Sequence, residues 1–210
     1  MKISREQVAI NRTRILEAAA CLFRERGFDG VTVAEIMHAA DLTHGAFYGH
    51  FTSKEDLIAQ TFAHVLMPGD GTRESALPER MMDFAEIYLS AKQRDERATA
   101  CLYSTLGTEA ARASVEARHA MTANVRSRID IFSKGMPGND AEERRQAATG
   151  SWATMIGAAM LARIVDDPEL SDRLLADTLA WLGKTSGQQN SVEDTLHDQP
   201  ASQLPQRAAH

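Results

Sequence analysis

The chain contains few of the residues from which redox, metal or catalytic sites are built. Its 210 residues include two cysteines, six prolines and 6% aromatic residues. Cys21 and Cys101 lie far apart in the sequence, which argues against a disulfide framework. The histidines form neither an H-x-x-x-H motif nor a cluster with cysteines at metal-ligand spacing. We therefore expect no metal, no cofactor and no enzymatic activity.

Long apolar runs are also missing from the chain. No stretch of about eighteen apolar residues is present, so we expect no transmembrane helix and no membrane partner. The first residues, Met1 to Glu6, lack the apolar region of a secretory signal. Hydrophobic residues make up 43% and charged residues 25%, as in ordinary soluble globular proteins. These features predict a cytoplasmic protein.

The net charge is −6, so the chain does not have the excess of positive charge that is typical of a protein that binds bulk nucleic acid. Phosphate attraction depends, however, on charge within about 10 Å at moderate salt. Residues 1–16 carry Lys2, Arg5, Arg12 and Arg14 against Glu6 as the only acid. A basic arm ahead of an otherwise near-neutral segment favours binding to selected sites, with little affinity for bulk DNA.

Helical periodicity is the strongest positive signal, and residues 32–51 show it in two short pieces around a turn. The first piece has one apolar face at i, i+3, i+4 and i+7, formed by Val33, Ile36, Met37 and Ala40. Thr32 and Glu35 form a capping box at its start. Asp41 and Leu42 interrupt the pattern, and Thr43 can cap a second helix.

The second helix is better suited to lie against a duplex than to fill a core. Ala46, Phe47 and Phe51 share one side, and the other side carries His44, Gly45, Tyr48 and Gly49. A glycine inside a helix costs about 1 kcal/mol relative to alanine. Two glycines on one side leave a strip where another backbone can approach closely.

The flanking sequence completes a small helical unit over residues 8–67. A preceding helix buries Ile15, Ala19, Leu22 and Phe23 and ends at Gly27. A following helix is capped by Ser53, with Asp56 three residues later. The sequence therefore predicts a three-helix core leading into a fourth helix, with a helix-turn-helix at 32–51.

These residues resemble the DNA-binding domain of the TetR (tetracycline-repressor-like) family. The resemblance rests on FDGVTVAEI at 28–36 and GAFYGHFTSKEDL at 45–57, and it covers about the first third of the chain. It implies a homodimeric transcriptional regulator, most simply a repressor that a small-molecule effector releases from its double-stranded DNA operator. By the same resemblance Tyr48 and Lys54 are DNA contacts, and the predicted contacts also include Thr32, Thr43, His44, Gly45, Gly49 and His50. Thr32 and Thr43 are caps in the first place, and His50 is either a phosphate contact or a local support beside Phe51.

Three positions depart from the family pattern. Asp41 stands where a turn glycine is usual, and its short side chain supports left-handed backbone. Gly49 stands where the family more often has an aromatic or polar residue, and His44 where it often has lysine. The departures concern which operator sequence is bound, rather than whether DNA is bound.

The rest of the chain predicts an all-α domain over residues 76–183. Helical segments are expected at 78–91, 96–106, 108–134, 141–166 and 169–183, with breaks at Arg94–Asp95, Gly107, 135–138 and 166–168. Residues 67–72 form a linker rich in glycine and proline. Residues 184–210 are polar and predict a disordered tail.

Segments 141–166 and 169–183 carry long apolar stripes that allow two interpretations. Either they are buried within their own domain, or they form half of a four-helix bundle across a two-fold axis, as the TetR resemblance implies. The first stripe includes Trp152, Met155 and Ala159, with Gly150, Gly157 and Ala158 beside it. The second includes Leu170, Leu174, Thr178 and Leu182.

A ligand site is predicted among aromatic and sulfur-containing residues of the second domain, namely Tyr88, Cys101, Tyr103, Met121, Trp152 and Met155. Each of them fits a helical core equally well. Cys101 is either a structural thiol or an oxidant or electrophile sensor, and a sensor thiol needs a lowered pKa and access. Two other functions compete with the effector-controlled regulator, a helical enzyme or ligand carrier and an architectural DNA-binding dimer without an effector.

Overall fold

The computed structural model describes residues 4–66 and 81–187, which form helices and no strand. The predicted all-α fold is therefore confirmed. The α-helices are α1 Arg5–Arg26, α2 Val33–Ala39, α3 Lys54–Leu66, α4 Met81–Tyr88, α5 Ala91–Asp95, α6 Leu102–Ala110, α7 Val115–Ser133, α8 Ala141–Ile164 and α9 Pro168–Gly187. Two 3₁₀ helices accompany them, at His44–Gly49 (the reading helix) and at Arg97–Thr99.

At several helix starts a side chain satisfies backbone N–H groups that have no partner within the helix. Ser4, Thr32, Ser90, Ser114 and Asp140 each accept a hydrogen bond from the N–H three residues later. Asp167 accepts from the N–H groups of Glu169 and Leu170, and Pro168 follows it as the first residue of α9. Gly27 ends α1 with a φ of 75°, in the left-handed region that favours glycine. The predicted caps at Thr32 and Asp167 and the predicted stop at Gly27 are confirmed.

Several predicted boundaries in the second half are wrong. The predicted break at Gly107 is absent, because α6 continues through this residue to Ala110. A Cβ atom added to Gly107 would meet no heavy atom within 4 Å. The chain breaks instead before Ser114, whose hydroxyl caps α7. A single glycine lowers helix propensity by about 1 kcal/mol, which packing on the body offsets, whereas a capping serine defines a start.

Other helix ends differ by a few residues. The predicted helix 78–91 ends at Tyr88 within its described part, because Ser90 caps a separate helix, α5. Helix α9 runs to Gly187, four residues into the segment predicted as a disordered tail. The predicted linker at 67–72 and the remaining tail at 188–210 lie outside the described residues.

The helices form two parts, a head of α1, α2, the reading helix and α3, and a body of α4 to α9. The head core contains Phe28, whose ring lies edge-on to Phe23 and Phe62 at 5.2 and 5.7 Å. Hydrogen bonds join the described parts of head and body, and two of them are short. The Asn124 amide donates to the Leu66 carbonyl at 2.8 Å, and the Glu109 carboxylate accepts from the Phe28 N–H at 2.6 Å.

Arg163 of α8 ties the body helices together. Its guanidinium donates to the carbonyl oxygens of Gln93 and Arg94 at 2.9 and 3.1 Å and to the Ser104 hydroxyl at 2.9 Å. Burial lowers the pKa of this guanidinium. Helices α5, α6 and α8 are therefore fixed together beside the head.

Candidate nucleic-acid interface

The turn between α2 and the reading helix is built around Asp41. Its φ of 58° lies in the left-handed region, which aspartate tolerates better than most residues with a side chain. The Leu42 N–H donates to the Met37 carbonyl at 2.9 Å and closes the turn. Aspartate therefore occupies the backbone conformation for which the family more often has glycine, as predicted.

The reading helix is anchored from below by two phenylalanines. Phe47 and Phe51 are buried, and their rings stack at 5.6 Å. Its opposite side is exposed and carries His44, Gly45, Tyr48 and Gly49. The predicted division of faces is confirmed, although the helix is the tighter 3₁₀ form with about three residues per turn.

Tyr48 is the most prominent side chain of this exposed face. Its side chain is 70% exposed, yet the ring lies edge-on to Phe47 at 5.3 Å and to His44 at 6.3 Å. A Cβ atom added to Gly45 or Gly49 would meet no heavy atom within 4 Å. The exposed face therefore presents one aromatic side chain, Tyr48, which its neighbours hold in place. The glycines on both sides of it leave the backbone accessible.

The threonines at the two helix starts differ in their roles. The Thr32 hydroxyl accepts from the Glu35 N–H at 3.2 Å, so it is a cap. Thr43 occupies the equivalent position before the reading helix, but its side chain makes no capping hydrogen bond, and the predicted cap is wrong. Its exposed hydroxyl remains available to a partner outside the chain. Lys54 begins α3, next to Ser53, whose hydroxyl accepts from the Asp56 N–H.

His50 and Arg12 lie between the exposed face and the head core. The Arg12 guanidinium stacks on the Phe51 ring at 5.1 Å and donates to the Gln60 side chain. Burial, together with the Arg12 charge, lowers the pKa of His50 and favours its neutral form. The described part of the predicted basic arm forms the first turns of α1. Within it, Arg12 contacts Phe51 and Gln60 of the head and so stabilises the head.

We expect the Glu35 carboxyl to titrate far below a normal glutamate. Hydrogen bonds from Thr32, and then from Arg26, lower its pKa from 4.5 to about 2. Its contribution to stability is thus present above pH 4.5 and is lost as the pH falls through about 2. Carbon-detected NMR titration of the Glu35 carboxyl measures this value directly. Thr32→Val and Arg26→Gln should each raise it by removing one side-chain hydrogen bond, and a wild-type midpoint near 4.5 would contradict the capping geometry.

The body places three of the predicted ligand residues in one row of aromatic rings. Tyr103 lies edge-on to Trp152 at 5.1 Å, and Trp152 lies 6.2 Å from Phe132. Phe132 continues to Phe84 at 5.0 Å, and Phe84 to Tyr88 at 5.3 Å. We call these five residues the aromatic row. Phe84 was absent from the predicted site, although it stands one helical turn before Tyr88.

The aromatic row contains polar atoms that the protein leaves unsatisfied. The Tyr88 hydroxyl is buried near the side chains of Cys101 and Ser104 but makes no well-formed hydrogen bond, and burial raises its pKa well above normal. The Trp152 Nε1 is buried without a partner as well. Met121 and Met155 are buried in the same core. Cys101 lies half-buried at the start of α6, as predicted.

The apolar stripe of α8 that contains Trp152 faces its own domain. Trp152 is 5% exposed and Met155 is fully buried, so the interpretation of this stripe as a surface between two copies is wrong. A second stripe follows the outer side of α8 and continues on α9. It consists of Gly150, Ala153, Gly157, Leu161 and Ile164 on α8 and Leu170, Leu174 and Trp181 on α9. We call it the outer stripe.

Comparisons with known proteins bear on the head first. The family model described as "Bacterial regulatory proteins, tetR family" matches residues 15–61, which include α2, the turn and the reading helix. The HTH-type transcriptional repressor KstR2 of Rhodococcus jostii is 29% identical over 174 residues, covering 81% of this chain and 76% of KstR2. The chain belongs to the TetR family.

TetR-family structures share the whole arrangement of head and body. The reduced form of Escherichia coli NemR superposes with a TM-score of 0.62 at 22% identity, over 82% of this chain and 94% of NemR. AibR, solved with isovaleryl coenzyme A and operator DNA, superposes with a TM-score of 0.54 at 18% identity, over 82% and 97% of the two chains. As a TetR-family member, the protein is a DNA-binding transcriptional regulator. Among the described residues, none of the helices has the length and hydrophobicity needed to cross a membrane.

Proposed function

We propose that the protein is a homodimeric repressor that reads its operator with the exposed face of the reading helix. The exposed Tyr48, braced by Phe47 and His44, carries this proposal, because it projects from the second helix of a helix-turn-helix, which is the helix that such motifs place in the major groove. The contacting residues are Thr32, Thr43, His44, Gly45, Tyr48, Gly49, His50 and Lys54. The helix-turn-helix domain spans residues 8–67, and we place the protein in the cytoplasm with the chromosomal operators.

The chemistry of the face suits the two kinds of contact that DNA offers. Lys54 and the Thr43 hydroxyl are donors for phosphate oxygens, which fix position. His44 and Tyr48 have donors for base edges, which carry sequence information. Gly45 and Gly49 add no side chain that would hold the helix away from the groove.

We propose that the outer stripe joins two copies of the body, residues 76–183. Gly150 and Gly157 have open space where a side chain would be, so another helix can approach α8 closely. Leu161 and Trp181 are 51% and 52% exposed, which is costly for large apolar groups unless they are covered. A dimer supports the reading of two half-sites about one helical turn apart.

We propose that the effector binds along the aromatic row. The row combines apolar rings with the unsatisfied Tyr88 hydroxyl and Trp152 Nε1, and so offers a hydrophobic ligand two hydrogen-bonding groups. The solved AibR complex contains both an acyl coenzyme A and operator DNA. An effector shifts the DNA equilibrium only if it binds the two states with different affinity, typically by about 1–3 kcal/mol.

Fluorescence anisotropy with the full chain tests the repressor proposal. A labelled duplex from the region upstream of the protein's own gene should bind more tightly than a shuffled duplex of the same length. Its affinity should fall steeply as salt rises, since phosphate contacts release counterions. Equal affinity for the two duplexes would favour an architectural DNA-binding dimer, and no binding at all would favour a helical enzyme or carrier.

The same assay distinguishes a noncovalent effector from a thiol sensor. We expect inert aromatic compounds to release the duplex from the wild type and from Cys101→Ser alike. Tyr88→Phe removes the hydroxyl and keeps the ring, and Trp152→Phe removes Nε1 while leaving a smaller aromatic ring. Each should raise the effector concentration needed by roughly tenfold. Release by electrophiles or oxidants alone, lost in Cys101→Ser, would establish the opposite mechanism.

A further inference from the structure

A cleft of about 350 Å³ lies where the head meets the body, away from the exposed face of the reading helix. The end of α1 lines it on the head side. The 97–99 helix, α6 and the end of α8 line it on the body side. Arginines dominate the wall, with Arg24 and Arg26 from the head and Arg97 and Arg163 from the body.

The positive charge of this cleft is only partly compensated. Its two carboxylates are Glu25 and Glu109, and Glu109 already accepts from the Phe28 N–H at 2.6 Å. Arg26 is paired with Glu35 at 2.9 Å. The Arg97 side chain forms no ion pair or hydrogen bond with another described residue, and its charge disfavours the charged form of Arg163. Two like charges therefore face one space, and the cleft has more guanidinium groups than carboxylates in its wall.

Arg163 is held in place before any ligand arrives, whereas Arg24 makes only one long contact with the body. The Arg163 guanidinium is fixed by the Gln93, Arg94 and Ser104 oxygens. The Arg24 Nε is buried without a hydrogen-bond partner, and its Nη1 reaches only the Ala98 carbonyl at 3.5 Å. Guanidinium groups present paired donors that match the oxygens of carboxylate and phosphate. Met160 and Ile164 add apolar surface to the same cleft.

We propose that this cleft binds an organic anion, with its carboxylate or phosphate group between Arg24, Arg97 and Arg163 and a short apolar part against Met160 and Ile164. The anion would join the end of α1 to the body at the place where Glu109 already holds the Phe28 N–H. It would thereby relieve the repulsion between arginines and hold the head in one orientation. The residues that line this second ligand site differ from those of the aromatic row, although Ser104 lies both in the cleft and near the Tyr88 hydroxyl.

Isothermal titration calorimetry on the full chain without DNA tests the proposal. Sodium hexanoate and hexyl phosphate are the probes, and hexanol is the neutral control of equal chain length. At least one anion should bind saturably, and a comparison of the two identifies the preferred group. Arg97→Gln should weaken that binding about tenfold through loss of charge-assisted hydrogen bonds.

Arg126→Gln removes the same charge from an exposed position on α7 and serves as the matched control. It should bind the anion like the wild type, and hexanol should give no saturable heat. Trp152→Phe should also leave anion binding unchanged, since Trp152 does not line the cleft. The proposal is overturned if neither anion binds, if Arg97→Gln binds as the wild type does, or if Arg126→Gln loses as much affinity.

Discussion

Replacing Leu161 and Trp181 by glutamate should convert the protein into a folded monomer with little operator affinity. Both side chains are about half exposed on the outer stripe, so a single protomer tolerates the change, whereas a surface between two copies would bury two unpaired charges. Light scattering should show half the wild-type mass at micromolar concentration, with unchanged helical circular dichroism. Operator affinity should fall by roughly two orders of magnitude or more, because one half-site is lost.

The matched control is Val115→Glu, since Val115 is 66% exposed on α7 and lies outside the outer stripe. It should keep the wild-type mass and DNA affinity. Trp152→Glu has a different expected result, because Trp152 is buried beside Tyr103 and Phe132 and a charge there should unfold the protomer itself. A monomeric mass for the wild type, or a dimeric mass for the double variant, would contradict the proposed assembly.

Tyr48→Ala should weaken operator binding by about 1–3 kcal/mol, the usual cost of losing one specific DNA contact. The ring is 70% exposed, so its removal leaves the buried Phe47 and Phe51 in place and the head folded. Lys54→Ala should weaken binding to all duplexes alike and reduce the slope of log affinity against log salt by about 1. Mobility-shift titrations at several salt concentrations measure both effects.

Lys184→Ala provides the comparison, because Lys184 is an exposed lysine near the far end of α9. It should leave both the affinity and the salt slope unchanged. Variants of Tyr48 and Lys54 that bound the operator as tightly as the wild type would show that another surface reads the DNA.

Much of the head follows from short-range sequence patterns. The capping box at Thr32 and Glu35, the left-handed Asp41 and the glycine stop at Gly27 all appear as predicted. Each depends on a few neighbouring residues and on backbone preferences that act within one turn. The separation of Phe47 from Tyr48 on opposite faces was equally visible, because a single helical period determines it.

The body shows where such patterns stop being sufficient. An apolar stripe indicates that one face of a helix is buried, but it carries no information on which surface covers that face. Trp152 was therefore compatible with a second copy as well as with Tyr103 and Phe132, and only tertiary contacts assign it to its own domain. Gly107 likewise looked like a helix end, and the packing of α6 against α1 and α8 carries the helix through it.

The sequence by itself determined the all-α class, the helix-turn-helix and the exposed face of the reading helix, because these depend on local periodicity, capping and turn chemistry. The resemblance to the TetR family depended on the motifs at 28–36 and 45–57. Only the tertiary structure showed which residues form the aromatic row, the outer stripe and the arginine cleft. It also showed the hydrogen bond from the Phe28 N–H to the Glu109 carboxylate. The residues involved come from segments far apart in the chain. Which side chains meet across such distances depends on how the helices pack together, and no short segment encodes that.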